Sequence, residues 1–207
     1  MNQKNITFSS DGFVLKGTLH LPAEENPPVV IGSHGLFSSG SSPKQIALAR
    51  QCNDLGMAFF RFDHRGCGGS QGVFQDVTSI EARCHDMISA IRMVQDRKDT
   101  GNRIGLFGSS MGGTVCLSVF TQSDAYSIVT CAAPVRSSSI IKTLEKSHDL
   151  NTPNPPFYER YLDSDISDKL SSTHHILVFH GDSDEIVPPS NAREIYEKAG
   201  DPKKLIM

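Results

Sequence analysis

The residues most suited to chemistry in this sequence lie in the stretch 108–112, which reads Gly-Ser-Ser-Met-Gly. A serine with a glycine two positions away on either side can occupy a very tight strand-to-helix turn, where its hydroxyl is exposed. The helix after such a turn begins with free N–H groups, which favour negative charge. Ser110 is therefore a candidate nucleophile for acyl transfer, and the N–H of Met111 is a candidate donor to the oxyanion.

The segments on either side of this pentapeptide strengthen the interpretation. A bare Gly-x-Ser-x-Gly pattern arises by chance in roughly 7% of chains of about 200 residues, so alone it could be a glycine-rich turn with a spectator serine. Here an apolar run of strand length, Ile104–Phe107, precedes it, and an apolar helical pattern, Val115–Phe120, follows it. Strand, turn and helix in this order form the arrangement known as a nucleophile elbow.

An acyl-transfer serine also needs a base and an acid that orients the base. Where the serine stands in an elbow of this kind, the acid and then the histidine follow it along the chain, and the acid comes just after a later strand. Asp184 follows the apolar pattern 175–179 and is the preferred acid, with Asp182 as the alternative. Taken alone, either carboxylate would more often be a residue at the start of a helix.

A second oxyanion donor is predicted in the glycine-containing loop that follows the apolar run Val29–Ser33. This loop begins His34-Gly35-Leu36, and the Leu36 N–H is the candidate donor. His34 considered alone is more often a structural residue whose ring bonds to the local backbone. The loop and the elbow would then supply one donor each to the same oxygen.

These candidate residues can meet only if the strands that carry them lie side by side. Short apolar runs alternate with helical patterns, which predicts an α/β fold with a mostly parallel sheet and helices on both faces. The segments 6–9 and 13–20, joined by a Ser-Asp-Gly turn, predict an antiparallel hairpin at one edge. Ligands of such sheets bind at the carboxyl ends of the strands. The residues expected to share that rim are His34, Asp63, Ser110 and Pro134.

Local capping signals predict where three of the helices begin. Ser42, with Gln45 three residues later, predicts an N-cap and a capping box for the first helix. Thr78 and Glu81 predict a second capping box, and Ser190 is expected to cap the last helix. Each signal places a helix start after one of the loops that follow the strands.

Between 135 and 173 the alternation of strands and helices stops. This stretch is long for a connection, so we expect a single domain over 1–207 with a small lid inserted at about 135–173. The alternative is a surface excursion that holds one short helix. Large aromatic side chains in this polar insertion are predicted to line the acyl or alcohol pocket, or else to fix the lid to the core: Phe157, Tyr158 and Tyr161.

Composition and charge argue against several classes of function. The chain has 207 residues, a net charge of −3 and 38% hydrophobic residues, which fits one α/β domain. No basic face or tail indicates a nucleic-acid partner, and no apolar run is long enough to span a membrane. Five scattered cysteines without metal-binding spacing indicate reduced thiols, a cytoplasmic protein and no metal. No organic cofactor is indicated, and no pattern specifies an oligomeric state.

Four motifs occur in order along the chain: Ser-His-Gly-Leu at 33–36, Arg-x-Asp-x-Arg-Gly-x-Gly-x-Ser at 61–70, Gly-x-Ser-x-Gly-Gly at 108–113, and His-Gly-x-x-Asp-x-x-Val-Pro at 180–188. Together they resemble the α/β-hydrolase superfamily, in its small esterase and serine-aminopeptidase-like branch (cinnamoyl-esterase-like). The resemblance implies a serine hydrolase that cleaves small-molecule acyl esters through an acyl-enzyme, with a thioesterase or a small-peptide aminopeptidase as alternatives. It also implies that Asp63 and Arg65 brace loops near the elbow and are not catalytic.

One feature departs from the family pattern. The family's catalytic histidine follows the strand that here begins at Lys203, and no histidine comes after His180. Either the sequence stops before the base that Asp184 would orient, or the protein is a non-catalytic binding protein on a hydrolase fold. The apolar end, Leu205–Met207, favours the first interpretation, because an uncovered edge strand invites aggregation. We therefore expect the C-terminal end to be missing and the natural protein to continue for roughly 25 to 45 residues, with the histidine just after 203–207.

Overall fold

The computed structural model describes residues 2–138, 140 and 163–207. The strands of these residues are β1 (Asn2–Ser10), β2 (Phe13–Leu21), β3 (Val29–Ser33), β4 (Ala58–Phe62), β5 (Ile104–Ser109), β6 (Ser127–Cys131), β7 (Ile176–Phe179) and β8 (Lys203–Ile206). They form one sheet in the order β1-β2-β4-β3-β5-β6-β7-β8. All neighbours from β4 to β8 pair in parallel. The predicted fold class, a mostly parallel α/β sheet, is confirmed.

The two N-terminal strands form the predicted antiparallel hairpin at one edge of the sheet. Ser10 pairs with Phe13 across a two-residue turn. The turn residues Asp11 and Gly12 have φ of 47° and 82°. Positive φ at both central positions gives a turn whose twist matches the strands, and Asp-Gly is a favoured pair for it. The hairpin joins the parallel part through antiparallel pairing of β2 with β4.

Helices cover both faces of the sheet, as the burial of consecutive side chains along β4 requires. Phe59 packs with Ala49 and Cys52 on one face. Phe60 lies in the main core on the other face, together with Met87 and Leu117. The helices of the described residues are α1 (Pro43–Asp54), α2 (Phe74–Val77), α3 (Ile80–Gln95), α4 (Met111–Phe120) and α5 (Ser190–Lys198). In these ranges the structure has no helix that is both long enough and apolar enough to cross a membrane.

The predicted capping box of α1 is wrong. Ser42 is the N-cap residue, but its side chain makes no capping hydrogen bond. Gln45 does not reach back to it, because this side chain is buried against the sheet, where a Cβ on Gly32 would contact its Oε1. Packing against β3 therefore determines the position of Gln45, in place of the local capping pattern.

The other two caps also differ from the prediction. The N-cap of α3 is Ser79, whose Oγ accepts from the N–H of Ala82 at 3.0 Å. Thr78 is buried, and its Oγ1 accepts instead from Nε of Arg83 at 3.1 Å. At α5 the N-cap position belongs to Pro189, so Ser190 is the first helical residue and does not cap. In each case a neighbouring residue or a tertiary contact replaces the predicted cap.

The two ends of the predicted insertion are joined to each other. Arg136 and Asp165 form an isolated antiparallel bridge. The N–H of Ser137 donates to the carbonyl of Ser164 at 2.9 Å. The chain thus leaves and re-enters the domain at one place, and the lid itself stays a prediction. The residues predicted to line the substrate pocket lie outside the described residues: Phe157, Tyr158 and Tyr161.

Candidate active site

Ser110 stands at the turn between β5 and α4 with a strained backbone, φ 52° and ψ −128°. This conformation is uncommon for a residue with a side chain and persists only where the surroundings impose it. The surroundings here are tightly packed backbones. A Cβ on Gly108 would collide with the carbonyl of Gly112, and a Cβ on Gly112 would collide with the carbonyl of Ser33. The two glycines are therefore required by the turn.

The sheet register brings the predicted site residues to the same rim. Ser33 pairs with Gly108, so the loop after β3 lies beside the elbow. On the other side, Ser109 pairs with Cys131, which in turn pairs with Phe179 at the end of β7. Since the carboxyl ends of parallel strands lie together, the oxyanion loop, the elbow and the loop that carries the predicted acid share one edge.

The two predicted oxyanion donors flank the nucleophile. Met111 is the first residue of α4, where N–H groups lack partners within the helix. On the other side, a Cβ built on Gly35 would lie 3.6 Å from the Cβ of Ser110. The peptide unit between Gly35 and Leu36, which contains the Leu36 N–H, is therefore next to the serine. Within the described part of the chain, neither of these two N–H groups donates a hydrogen bond. Both are available to an oxygen bound at Ser110.

The carboxylate of Asp184 is fixed through one oxygen. Its Oδ1 accepts from the N–H of Ile186 at 3.0 Å and of Val187 at 2.9 Å. Its Oδ2 lies 3.7 Å from Nε2 of His180, which instead donates to the carbonyl of Val187 at 2.8 Å. One oxygen is thus oriented by the backbone, while the other is not committed to a close partner. Asp182 is exposed and accepts only from its neighbour Ser183 among the described residues.

His34 is held as a neutral ring. Its Nε2 accepts from the backbone N–H of His64 at 3.2 Å, so the ring proton is on Nδ1, which donates to the carbonyl of Gly35 at 2.8 Å. Burial lowers the pKa of His34 well below its ordinary value, and the neighbouring His64 lowers it further. The ring bonds to local backbone, as expected for a structural histidine, and it fixes the loop that begins at residue 34.

The motif at 61–70 supplies braces around this rim. Asp63 accepts from the N–H of Gly40 at 2.7 Å and of Gly69 at 2.9 Å, which ties two loops together. Arg65 donates to Asp86 Oδ1 through Nε at 2.9 Å and through Nη2 at 2.7 Å. Burial raises the pKa of the Asp86 carboxyl, but hydrogen bonds from His64 and Arg65 bring the pKa below its usual range. The bracing role that the resemblance implied for Asp63 and Arg65 matches these contacts.

A second serine, histidine and aspartate set lies inside the protein. The Oγ of Ser33 is 2.9 Å from Nε2 of His64, and Nδ1 of His64 is 3.4 Å from Oδ2 of Asp86. All three residues have no solvent exposure. Burial lowers the pKa of His64 to about 4, so the ring is neutral near pH 7. Without access for a substrate, this set is a structural network below the oxyanion loop.

Arg83 is a residue of the site that the sequence did not reveal. It lies on α3 and is fully buried, and its guanidinium donates to the carbonyls of Gly35 and Leu36. The one indication in the sequence was the spacing of Arg83, which is three residues after Ile80 and four before Met87. This spacing places it on the apolar face of α3. A charged residue on that face usually stands at the exposed margin of a helix. Its burial became apparent only from the fold.

A parallel sheet with a strained serine elbow at its carboxyl rim defines the α/β-hydrolase class. Within this class, the family model described as "Serine aminopeptidase, S33" (Hydrolase_4) matches residues 24–155. The chain belongs to this family.

Curated relatives are similar over most of this chain but are longer than it. The protein YfhR of Escherichia coli O157:H7, described as uncharacterized, is 28% identical over 191 residues, which are 90% of this chain and 63% of YfhR. The mitochondrial palmitoyl-protein thioesterase ABHD10 of Mus musculus is 27% identical over 84% of this chain and 65% of its own length. The chain thus spans slightly less than two thirds of the length of these relatives.

Solved structures show the same fold. Esterase Est1E from Butyrivibrio proteoclasticus, in a complex with ferulic acid, superposes with a TM-score of 0.79 at 19% identity, over 97% of this chain and 88% of that one. The esterase Pf2001 of Pyrococcus furiosus gives a TM-score of 0.84 at 17% identity, over 99% of this chain and 80% of that one. At these identities the similarity concerns the fold alone.

Proposed function

We propose that the protein is a serine hydrolase that cleaves small-molecule carboxylic esters through an acyl-enzyme intermediate. The observation that carries the proposal is the backbone of Ser110, held at positive φ between glycines that cannot bear a Cβ. Such strain is retained where it serves a function, and here it exposes a hydroxyl beside two free N–H groups. The cytoplasmic location and the small lid over 135–173 belong to the same proposal.

The proposed reaction begins with attack by Ser110 Oγ on the ester carbonyl, while a general base takes the hydroxyl proton. The carbonyl oxygen becomes an oxyanion and accepts hydrogen bonds from the N–H groups of Leu36 and Met111. Collapse of this intermediate breaks the bond to the alcohol, which leaves with the proton from the base. Water then attacks the acyl-serine in the same way and releases the acid. Each donor is expected to contribute about 10²- to 10³-fold in kcat.

The base is the part of this machinery that rests on the resemblance alone. Asp184 would orient a histidine through Oδ2, the oxygen that its backbone contacts leave open. The family position for that histidine follows β8. Each histidine of the described residues is engaged elsewhere, through contacts with Arg61, Gly35, Ser33, Asp11, another histidine or Val187. The natural full-length protein is therefore the right material for every activity assay.

A substrate screen with that protein tests the proposal. Acyl p-nitrophenyl esters, acyl thioesters and aminoacyl amides should be compared by kcat/KM, with Ser110→Ala as the inactive reference. We expect Ser110-dependent turnover of the esters. Turnover that Ser110→Ala leaves unchanged would rule out the serine mechanism, and exclusive cleavage of aminoacyl amides would make the protein a peptidase.

Thioester cleavage is the second candidate function. It is favoured by the similarity to the mouse enzyme named as a palmitoyl-protein thioesterase, 27% identical over 84% of this chain. The same nucleophile and oxyanion donors serve both reactions, because a thiolate leaves in place of the alkoxide. Matched acyl chains on oxygen and sulfur leaving groups distinguish the two. A kcat/KM at least tenfold higher for thioesters than for oxygen esters of the same acyl chain would favour the thioesterase.

A further inference from the structure

The side chain of Arg83 reaches from α3 to the loop that carries one of the proposed oxyanion donors. Its Nη1 donates to the carbonyl of Gly35 at 3.3 Å, and its Nη2 donates to the carbonyl of Leu36 at 3.0 Å. The Nη2 group also contacts Sγ of Cys67 at 3.3 Å, and Nε donates to Oγ1 of Thr78 at 3.1 Å. The guanidinium is thus fixed on three sides and cannot turn away from the loop.

No described carboxylate lies within ion-pair distance of this buried cation, and Asp86 on the same helix attracts it only over a longer distance. Arg83 has no solvent exposure, and its contacts are two carbonyls, a hydroxyl and a thiol. Burial of a charge without a counter-ion is unfavourable unless hydrogen bonds satisfy it. An apolar side chain at this position of α3 would avoid that cost. The contacts of the guanidinium therefore point to the loop as the reason for its position.

The planar peptide bond connects these contacts to the oxyanion donor. The carbonyl of Gly35 and the N–H of Leu36 belong to one peptide unit and, in the trans form, point in opposite directions. The donors on that carbonyl therefore also fix the direction of the Leu36 N–H. They are Nη1 of Arg83, Nδ1 of His34 and, at 3.3 Å, the backbone N–H of Ser38. That direction is away from the guanidinium, and the same peptide lies beside Ser110.

We propose that Arg83 is a positioning residue that holds the peptide between Gly35 and Leu36 so that its N–H can donate to the oxyanion. The inference rests on the proposed acyl-transfer function for its catalytic consequence. Arg83 does not touch the reacting atoms, and it acts through the peptide that it orients. The thiol of Cys67 and the hydroxyl of Thr78 keep the guanidinium in place.

Kinetics of the full-length protein test the catalytic consequence. Arg83→Lys keeps the charge but cannot span both carbonyls, so we expect kcat on a p-nitrophenyl ester to fall about 10- to 100-fold, with KM changed less than threefold. Arg83→Met should lose more. Affinity for a trifluoromethyl ketone, which forms an oxyanion on Ser110, should fall in parallel with kcat. The matched control is Arg97→Lys, which is partly buried and bonded to Asp99 beyond the other end of α3, and its kcat should stay within threefold.

A measurement that needs no turnover separates this inference from the proposed function. Hydrogen exchange in a peptide that covers 33–38 should be at least tenfold faster in Arg83→Met than in Arg97→Met and wild type. Unchanged exchange there, or equal loss of kcat in Arg97→Lys and Arg83→Lys, would overturn the positioning role. If wild type and Ser110→Ala hydrolyse esters equally while exchange still rises in Arg83→Met, the proposed function fails and the positioning of the loop stands.

Discussion

The backbone N–H of Ser110 donates to the carbonyl oxygen of Cys131 at 2.8 Å. This bond ties the strained residue of the elbow to the last residue of β6, in continuation of the pairing between β5 and β6. The turn is thereby part of the sheet and not a free loop. A substitution that changes only the side chain of Ser110 should therefore leave the backbone and the fold in place.

Replacement of the nucleophile is the first prediction. In the full-length protein, Ser110→Ala should abolish labelling by a fluorophosphonate probe and reduce ester turnover to background, with a thermal midpoint within a few degrees of wild type. Ser109→Ala is the matched control, since the Oγ of Ser109 accepts from Lys44 at 2.8 Å and is one residue away. Labelling that survives in Ser110→Ala but disappears in Ser109→Ala would show that Ser109 is the nucleophile, which would contradict the proposal.

The second prediction concerns the acid. Asp184→Asn retains an oxygen for the N–H groups of Ile186 and Val187, so the loop should stay folded. The amide would hold the base in the wrong tautomer, and the corresponding change in a serine protease lowers kcat by about 10⁴. Asp182→Asn should change kcat less than threefold, because this carboxylate is exposed. Steady-state kinetics of the two variants decide which carboxylate is the acid. A large loss of kcat in Asp182→Asn with a small loss in Asp184→Asn would identify Asp182 as the acid.

Stability should depend on pH through His64. Burial lowers its pKa from 6.5 to about 4 in the folded protein, so below pH 6.5 the unfolded chain binds a proton that the folded protein does not. The free energy of unfolding should therefore fall as the pH drops from about 6.5 to about 4, by about 3 kcal/mol from this group. Urea unfolding at several pH values measures the slope.

The His64→Gln variant removes this titration and should make the slope between pH 6.5 and 4 shallower. Part of the slope should remain, because the pKa values of His20 and His34 are also lowered by burial. His85→Gln is the control, since the His85 side chain is 53% exposed and pairs with Asp11 at the surface. Equal slopes in wild type and His64→Gln would mean that the buried ring is already protonated in the folded state.

Specificity should depend on an aromatic side chain next to the oxyanion loop. Phe37 directly follows Leu36, is 59% exposed, and has its ring centroid 5.7 Å from that of Phe74. The exposed ring of Phe37, packed on the half-buried ring of Phe74, offers apolar area to an acyl or alcohol group. Phe37→Ala should lower kcat/KM for long or aromatic esters at least fivefold more than for acetate esters. Leu55→Ala, an exposed apolar residue at the end of α1, should leave that ratio unchanged.

The parts of the fold that the sequence predicted are those with strong local signals. The Asp11-Gly12 turn specifies its own hairpin, and the apolar runs identify buried strands without reference to the rest of the chain. The glycines around Ser110 likewise predict the turn, because few other turns need glycine at both positions. The catalytic roles of Ser110, Asp184, Leu36 and Met111 stay predictions that the experiments above address.

What the sequence did not reveal depends on contacts between distant segments. Ser79 caps α3 in place of Thr78, because the hydroxyl of Thr78 accepts a hydrogen bond from Arg83. Arg83 in turn is buried because the loop at Gly35 packs against α3. Local patterns contain no information about that approach. For the same reason Gln45, a capping residue by its spacing, lies against β3.

The bridge between Arg136 and Asp165 makes the intervening chain a replaceable module. Its two ends meet beside α5, where Arg136 is also bonded to Glu194 at 2.6 Å. Loop closure costs little more for a longer segment than for a shorter one, so exchange at this junction should leave the scaffold largely undisturbed. Residues 136 and 165 are thus the natural boundaries at which the corresponding segment of a relative can be grafted onto this scaffold.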